Sequence, residues 1–546
     1  MTHYRRPLYA PHGVCATSQP LAAAAGCAVL RRGGNAVDAA IAAATTLTVV
    51  QPGSNDIGGD LFAIVWDGER LHGLNASGRS PAALTREAVL AAGAASAATD
   101  AHGGAQAEAG AYGAMPPHGW PAVTVPGAPG GWRDLHQRFG KLPFAELFTD
   151  AIGYAEHGYP VSPMVADSWG NAIIRYAGLA GRGEQFAHWG RVWTIDGRAP
   201  RAGQRWRNPE AAGTLRLIAD SKAEAFYQGE IATALADFSA RTGGFLTAAD
   251  LAGHTSTWVD AVSANYRGHQ VWELPPNGQG VAALLALNIL DGYDLSGADE
   301  VERTHVRVEA MKLGFADAHA YVADPALVDV PTEALLSPAY ARRRATEIGP
   351  TAADPRPGDP ARGGTVYLCT ADPDGMMVSL IQSNYMGFGS FVALPGYGFG
   401  LQNRGAGFSL DPSHPNVLAP GKRPFHTIIP GFLTRDGEPV GPFGVMGGHM
   451  QPQGHLQLLV RTLDEGLDPQ AALDAPRWYW HAGRRLHAEP EWGEPVLAGL
   501  RGRGHALDAT PGSAFFGHGQ AIWRATDGPG YVAGSEPRAD GCAAGW

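Results

Sequence analysis

The chain is short of cysteine, of charge and of long apolar runs, and each shortage excludes a class of protein. Its 546 residues include only 4 cysteines, and none lies in a CxxC pair or at metal-ligand spacing. A zinc site built on thiolates is therefore excluded, and we expect reduced, mostly buried thiols. Charged residues make up 17% and hydrophobic residues 45%, a balance that supports a large buried core.

Membrane and export signals are also missing from the sequence. A membrane-spanning helix needs about 18 or more consecutive apolar residues, and no such run occurs. A secretory signal needs an apolar stretch after its basic residues, and none follows the arginines at 5–6. We therefore expect a soluble, cytoplasmic protein with no membrane partner.

Positive charge is scarce, which bears on the possible partners. The chain has 41 Lys and Arg against 52 Asp and Glu, a formal net charge of −11. Because phosphate binding needs a basic face, we expect no nucleic-acid partner. The glycine-rich loops match neither GxGxxG nor GxxxxGK[ST], so a nucleotide-binding enzyme is a weak alternative.

The first part of the chain predicts helices followed by a hairpin. Residues 21–30 are alanine-rich and end at a Gly-Gly pair, and Asn35 can cap a second helix at 36–50 that is apolar on nearly every side. A strand at 61–66 and a turn lead to a second strand that ends near residue 75. The Ala/Gly-rich residues 92–113 predict a mobile surface insertion.

The composition changes near residue 349. Residues 349–364 are dense in Pro, Gly and charge and predict a flexible segment. After them, 365–371 and 376–382 alternate as two strands of a hairpin. A mainly helical region before the hairpin and strands after it suggest a layered α/β fold.

Thr365 begins a strand directly after this segment, where threonine is ordinarily just a good strand former, and a chemical argument makes it a candidate nucleophile. A hydroxyl is a weak nucleophile and needs an adjacent base. If the chain is cut before Thr365, the new α-amine has a pKa of about 7.7–8.0 and can accept the hydroxyl proton at neutral pH. The preceding Gly363 and Gly364 permit the tight turn that an N-to-O acyl shift requires.

A second glycine pair is a candidate oxyanion site. Gly447 and Gly448 carry no side chains, so their backbone N–H groups can approach a substrate closely. On the sequence alone, a simple turn is the commoner explanation of such a pair.

Several ordered motifs resemble the γ-glutamyltransferase family of N-terminal-nucleophile hydrolases over nearly the whole chain. Besides Thr365 and Gly447-Gly448, they are 33–41 (GGNAVDAAI), 57–60 (IGGD), 123–132 (VTVPGAPGGW), 243–247 (GGFLT), 275–280 (PPNGQG), 372–375 (DPDG), 408–412 (FSLDP) and 420–424 (PGKRP).

The resemblance implies a four-layer αββα sandwich that processes itself. It implies a large subunit, 1–364, whose C-terminal tail from about 349 is flexible, and a small subunit, 365–546, that begins with the nucleophile. The two fragments would stay together as a heterodimer. The resemblance also implies an oxyanion hole formed by Gly447 and Gly448, and catalysis without a metal or organic cofactor.

The residues that bind the glutamyl group in the family are altered here. The supporting hydroxyl corresponds to Ser383, and Arg79 stands near the place of a carboxylate-binding arginine but slightly out of step. Arg404 lies among the positions that normally hold the α-amine, and the amine-binding acid is absent. His426 and Thr427 replace a pair of serines that contact the carboxylate.

These alterations leave the substrate open. The family default is a γ-glutamyl amide such as glutathione, cleaved through an acyl-threonine intermediate. The alternative is another small acidic amide, as in oxamate amidohydrolase, or a substrate of the cephalosporin-acylase type. A folded precursor that no longer processes itself and only binds a ligand is a further, non-catalytic alternative.

Overall fold

The computed structural model describes residues 5–91, 113–355, 364–512 and 515–546. The predicted mobile insertion lies outside these residues except for its last glycine, Gly113, and its mobility stays a prediction.

The strands have the following bounds in chain order: β1 Leu8–Ala10, β2 Val14–Thr17, β3 Asp60–Trp66, β4 Leu71–Ala76, β5 Tyr159–Pro160, β6 Arg205–Trp206, β7 Thr257–Val259, β8 Val262–Tyr266, β9 His269–Glu273, β10 Gly364–Ala371, β11 Met377–Tyr385, β12 Gly431–Arg435, β13 Glu438–Met446, β14 Trp478–Ala482, β15 Arg485–Ala488, β16 Ala506–Ala509, β17 His518–Arg524, β18 Tyr531–Ser535 and β19 Cys542–Gly545.

The α-helices have the following bounds: α1 Pro20–Arg31, α2 Ala36–Val50, α3 Arg86–Ala91, α4 Ala128–Phe139, α5 Thr149–His157, α6 Pro163–Ala177, α7 Glu184–Trp193, α8 Pro209–Ser221, α9 Glu224–Tyr227, α10 Glu230–Arg241, α11 Ala248–Ala252, α12 Gly280–Asp291, α13 Glu300–Tyr321, α14 Thr332–Leu335, α15 Pro338–Ala345, α16 Met450–Leu463, α17 Pro469–Asp474 and α18 Glu494–Gly502. Short 3₁₀ helices are Trp120–Ala122, Phe144–Phe148, Arg404–Gly407 and Pro490–Trp492.

Two large antiparallel sheets form the centre of the described part of the chain. Sheet I has the order β19-β2-β10-β11-β3-β4-β7, and sheet II has the order β1-β18-β17-β13-β12-β9-β8. In sheet I, β10 and β11 are inserted between β2 and β3, and in sheet II β12 pairs with β9. The chain before Thr365 and the chain after it are therefore interleaved in both sheets.

Three apolar cores separate four layers. The inner faces of the two sheets pack together around residues such as Phe62, Tyr367 and Phe432. The outer face of sheet I is covered by α1 and α2, and the outer face of sheet II by α12 and α16. The predicted αββα sandwich is confirmed.

Side chains along β10 alternate between two of these cores, as the pleat of a strand requires. Val366 and Leu368 face the helices outside sheet I, whereas Tyr367 and Cys369 face sheet II. By the same alternation, Thr365 lies on the face of sheet I that is turned toward sheet II.

The N-terminal predictions agree closely with the structure. Asn35 Oδ1 accepts a hydrogen bond from the Asp38 N–H, the Asp38 carboxylate accepts one from the Asn35 N–H, and α2 is buried along its whole length. The helix at 21–30, the hairpin at 61–75 and the hairpin that begins at Thr365 are all present, with ends shifted by a few residues.

The start of the segment predicted to be flexible is held by hydrogen bonds. Ala352 N–H donates to the Arg503 carbonyl at 2.7 Å, and Ala353 N–H donates to Glu309 at 3.1 Å. Residues 356–363 lie outside the described residues, so flexibility there stays a prediction.

The cysteines are free thiols in the structure. Cys15 and Cys369 are buried, and Cys27 and Cys542 are partly buried. Burial raises the pKa of each thiol. Within the described residues, no helix has both the length and the apolar character needed to cross a membrane.

Candidate active site

Thr365, Ser383 and Asp60 lie at the same end of three neighbouring strands. In sheet I, Ser383 on β11 is the direct cross-strand partner of Asp60 on β3. On the other side of β11, the register to β10 shifts between Gly364 and Val366, so that Ser383 and Asn384 on β11 lie opposite the single residue Thr365. The extra residue of this bulge is therefore on β11, next to Thr365.

The two hydroxyls are in hydrogen-bond contact. Thr365 Oγ1 lies 3.0 Å from Ser383 Oγ, and both residues are fully buried. Ser383 Oγ also accepts hydrogen bonds from the Tyr385 N–H at 2.8 Å and from Arg404 Nη2 at 3.2 Å. Ser383 thus links Thr365 directly to a buried cation.

Arg404 is the centre of this group. It begins the 3₁₀ helix Arg404–Gly407, is fully buried and donates from Nη1 to Thr427 Oγ1 at 2.8 Å. Its guanidinium lies 4.3 Å from the centre of the Tyr385 ring, a cation–π contact. Burial lowers the pKa of Arg404 to about 10, although Asp60 opposes the shift, so Arg404 is charged at neutral pH.

One donor of Arg404 is unused. Its Nε has no hydrogen-bond partner among the described residues and lies 3.8 Å from Asp60 Oδ2. A buried guanidinium N–H that is not paired is costly, so this atom favours binding of an anionic or carbonyl oxygen.

Asp60 is a site residue to which the sequence motif assigned no role. Its Oδ1 accepts from the Gly78 N–H at 3.2 Å, and its Oδ2 lies 3.1 Å from His426 Nε2. Burial raises the pKa of Asp60 to about 7, against the opposing effects of Arg404 and Arg423. A carboxylate that follows Gly-Gly at the start of a strand was the available signal, but its neighbours come from distant parts of the chain.

His426 faces Asp60, and Thr427 faces Arg404. His426 is fully buried, and its Nδ1 accepts from the Ile428 N–H at 3.3 Å, so its Nε2 carries the proton that is donated to Asp60. Burial, with Arg404 second, lowers the pKa of His426 well below its usual value. Both ring nitrogens are engaged, so the structure makes His426 a neutral support for Asp60 and not the predicted direct substrate contact.

The glycine pair forms the turn from β13 into α16. Gly447 and Gly448 have φ values of 135° and 62°, in the region that favours glycine. Gln279 Nε2 donates both to the Gly448 carbonyl at 2.9 Å and to the Thr427 carbonyl at 2.7 Å. Gln279, another residue that the sequence reasoning missed, therefore ties this turn to the residue that contacts Arg404.

Arg79 does not join this group. Its side chain is 39% exposed and donates to Asp324 at 2.8 Å and to the Gly421 carbonyl at 2.9 Å. Arg423 comes closer: it is buried, it donates to the Ser77 carbonyl, and its charge acts on Asp60. The structure therefore places Arg79 apart from Thr365, and the buried cation whose charge reaches Asp60 besides Arg404 is Arg423.

A cleft of about 390 Å³ opens beside the glycine pair. The residues that line it come from segments that precede Thr365 in the chain and from segments that follow it. They include Ser18, Ser54, Asp167, Gly447, His518 and Asp540. A small substrate can reach the backbone of Gly447 from this side.

The arrangement combines a buried hydroxyl, a supporting hydroxyl, a buried cation and a glycine turn. A hydroxyl of this kind can serve as a nucleophile once a base is supplied, and the cation can hold a carboxylate next to it.

Comparisons with known proteins agree with this geometry. A family model described as Gamma-glutamyltranspeptidase matches residues 22–546. The "Glutathione hydrolase-like YwrD proenzyme" of Bacillus subtilis (strain 168) is 36% identical over 538 residues, which cover 96% of this chain and 97% of that protein. The "Oxamate amidohydrolase proenzyme" of Klebsiella pneumoniae is 35% identical over 551 residues and covers 98% of each chain.

A solved structure is similar over almost the whole chain. The crystal structure of cephalosporin acylase from Bacillus halodurans has 50% sequence identity and a TM-score of 0.93, and the match covers 99% of this chain and 97% of that one. The family model, the relatives and the αββα sandwich lead to one conclusion. The chain belongs to the γ-glutamyltranspeptidase family, and it is a hydrolase or transferase proenzyme of the N-terminal-nucleophile type.

Proposed function

We propose that the chain is cut between Gly364 and Thr365 and then hydrolyses amides of a small acyl group that carries a carboxylate, as oxamate does. The observation that carries this proposal is the contact of Arg404 with Ser383, which itself contacts Thr365 Oγ1. A cation so close to the nucleophile favours a carboxylate near the scissile carbonyl.

Scission supplies the base and opens access to the nucleophile. Thr365 is fully buried while Gly364 is attached to it. Cutting the bond releases an α-amine on the same α-carbon that carries the hydroxyl side chain of Thr365, with a pKa of about 7.7–8.0. It also frees the end of the preceding segment to leave the site.

The chemistry then takes place on one residue with backbone assistance. Thr365 Oγ1 attacks the amide carbonyl while the α-amine takes its proton, and the N–H groups of Gly447 and Gly448 stabilise the oxyanion. The C–N bond breaks, the amine leaves with a proton, and an acyl-threonine ester remains. Water adds to the ester, releases the acid and restores the hydroxyl.

The charges around the nucleophile support an acyl group without an α-amine. Arg404 and Arg423 are both buried cations, and Asp60 is the acid that faces them. Asp60 already contacts His426, Arg404 and the Gly78 N–H, so it is poorly placed to bind a substrate ammonium. Positive charge exceeds negative charge, which favours an anion.

A γ-glutamyl amide such as glutathione is the second candidate. It is favoured by the family match and by the YwrD-type relative, whose name describes it as glutathione hydrolase-like. A cephalosporin-acylase-type substrate fits the same cation, because the similar Bacillus halodurans protein is named as such an acylase.

The two processed fragments, 1–364 and 365–546, stay together in this proposal. Strands β10 and β11 would be bonded to β2 and β3 of the other fragment, and β12 to β9. Separation would break the hydrogen bonds of both sheets, so we expect a stable heterodimer. A cytoplasmic location remains part of the proposal.

A matched pair of substrates tests the acyl preference. γ-Glutamyl-p-nitroanilide and glutaryl-p-nitroanilide differ only in the α-amine, and oxamate and glutathione extend the comparison. We expect a higher kcat/KM for the glutaryl compound, and turnover of oxamate if the pocket admits only a short acid. A clear preference for the γ-glutamyl compound would overturn the carboxylate-only proposal and favour glutathione. The T365A variant, which lacks the proposed nucleophile, measures the background rate of hydrolysis.

A further inference from the structure

Two histidines and a glutamate form a buried group that lies apart from the active-site residues described above. His305 and Glu309 lie one turn apart on α13, and His505 comes immediately before β16. Their exposed fractions are 1%, 3% and 3%. One ligand atom from each residue lies within 4.8 Å of the other two.

The hydrogen bonds of His305 orient its lone pair toward His505. His305 Nε2 donates to the Gly349 carbonyl at 2.9 Å, so its proton is on Nε2 and its Nδ1 is unprotonated. Nδ1 lies 2.9 Å from His505 Nε2. Metal-binding histidines commonly have this arrangement, with the far nitrogen held by a backbone carbonyl.

We infer that His305 Nδ1, His505 Nε2 and a carboxylate oxygen of Glu309 form a binding site for a divalent transition metal, with Zn²⁺ as the best match. Two imidazoles and one carboxylate are a common zinc ligand set and a poor one for Mg²⁺ or Ca²⁺. The cysteines, which the sequence excludes as zinc ligands, play no part in it.

The distances fit a metal after a small adjustment. Two imidazole nitrogens on a tetrahedral Zn²⁺ are about 3.3 Å apart, given Zn–N bonds of about 2.0–2.1 Å. The observed nitrogen separation of 2.9 Å must therefore open by a few tenths of an ångström. His505 moves its proton from Nε2 to Nδ1, an atom with no hydrogen-bond partner among the described residues.

Nearby charges set the strength of the site. Lys312 contacts Glu309 at 2.7 Å, and Arg503 also faces the histidines, so both cations oppose a metal. Glu309 retains lone pairs, because its contacts are Lys312 and the Ala353 N–H. Burial lowers the pKa of His505 to about 3 and also lowers that of His305, which keeps both rings neutral and able to bind.

The site joins the two sides of the proposed scission. His305 and Glu309 precede Thr365, and His505 follows it. His305 donates a hydrogen bond to Gly349, and Glu309 accepts one from Ala353, so both residues also bind the chain shortly before the described residues end at 355. A bound metal would therefore clamp this segment to the C-terminal one and raise the melting temperature.

Zn²⁺ binding to chelator-treated protein tests the inference. Bound zinc is measured by mass spectrometry after gel filtration, and Co²⁺ is used as a spectroscopic probe because a site with imidazole ligands gives visible d–d absorption. The T365A variant is measured beside the wild type, so that a failure of self-processing cannot be mistaken for a failure of metal binding. We expect one zinc per chain in both.

Variants locate the metal. H505A and E309Q should each weaken binding by about tenfold or more, since H505A removes a ligand and E309Q replaces a charged ligand by a neutral amide. H157A, which changes a histidine whose side chain is 77% exposed, is the matched control and should bind as the wild type does. E309Q keeps the shape of the side chain and decides the question if H505A fails to fold. Absence of bound zinc in the wild type, or unchanged binding in E309Q, would overturn the inference.

Discussion

The hydroxyls of Thr365 and Ser383 lie 3.0 Å apart on neighbouring strands, in the space between the two sheets. Ser383 in turn accepts from Arg404, so a buried cation is two hydrogen bonds from the proposed nucleophile. This chain of contacts is the basis of the first three predictions.

Replacement of Thr365 should stop processing. We expect T365A to run as one full-length band on a denaturing gel, because the chain then has no hydroxyl to attack the preceding carbonyl. T365S keeps a hydroxyl and should yield two fragments, the smaller beginning at residue 365 by N-terminal sequencing. A cut T365A protein would contradict the assignment of the nucleophile.

Loss of the Ser383 hydroxyl should slow the reaction without unfolding the protein. Removing one group that supports an activated hydroxyl or oxyanion costs roughly 10²-fold in kcat, so we expect S383A to lose about that much. S379A is the matched control, because Ser379 is a buried serine on the same strand that contacts Tyr367 instead. Equal losses in both variants would mean that the effect is structural.

Arg404 should determine the preference for a carboxylate on the acyl group. We expect R404M to raise KM for glutaryl-p-nitroanilide, with a loss of about 2–4 kcal/mol in transition-state stabilisation, because a charged hydrogen-bonded partner is removed. T427V removes only the acceptor of Nη1 and should have a smaller effect. The measurement is kcat/KM on glutaryl-p-nitroanilide and on butyryl-p-nitroanilide, which lacks the carboxylate, and an equal loss on both would argue against recognition of the carboxylate.

Activity should rise with pH through the titration of the new α-amine. The amine acts as base only when it is unprotonated, so kcat/KM should fall about tenfold per pH unit below a pKa of about 7.7–8.0. Asp60, whose pKa burial raises to about 7, adds a second ionisation nearby. A D60N variant distinguishes the two ionisations. The plot of its kcat/KM against pH should keep the step that belongs to the α-amine of Thr365.

A buried ion pair in the C-terminal segment should make the fold sensitive to acid. Burial would raise the pKa of Glu536, but Arg477 and Arg538 lower it from 4.5 to about 2. The contribution of the Glu536 carboxylate to the free energy of unfolding is therefore fully present above pH 4.5 and is lost as the pH falls toward 2. A shift of this size corresponds to roughly 3 kcal/mol.

The variant E536Q should be destabilised by a few kcal/mol at neutral pH, since it leaves the buried Arg477 guanidinium without its carboxylate, whereas Arg538 keeps Glu489. Urea unfolding at neutral pH and at pH 3 measures the difference. We expect the gap between the wild type and E536Q to narrow in acid, and a constant gap would contradict the assigned pKa.

Local patterns in the sequence were sufficient for many elements. The apolar run at 36–50 with Asn35 before it predicts a capped, buried helix, and the structure has both the cap and the burial. The alternation after Thr365 predicts a hairpin, because strand pairing over a short turn depends on neighbours in the chain. Ser383 and Arg404 were located by motif, and both contact one another.

Long-range contacts decided the rest. Asp60, Gln279 and Arg423 come from separate segments. Only the packing of the fold brings Asp60 to Arg404, Gln279 to Thr427, and Arg423 close enough for its charge to act on Asp60. Arg79 lies near the motif position of a carboxylate-binding arginine, but its side chain contacts Asp324 instead. The spacing of residues along the chain does not indicate which way a side chain points in the fold.

The sequence by itself predicted a layered α/β fold and the strand that begins at Thr365, because periodicity is a property of consecutive residues, and its ordered motifs, through their resemblance to the family, implied the αββα layers. Only the tertiary structure decided which cation faces the nucleophile, that His426 supports Asp60, and that His305 and Glu309 meet His505. Contacts between residues hundreds of positions apart depend on how sheets and helices pack, and packing is a property of the whole fold.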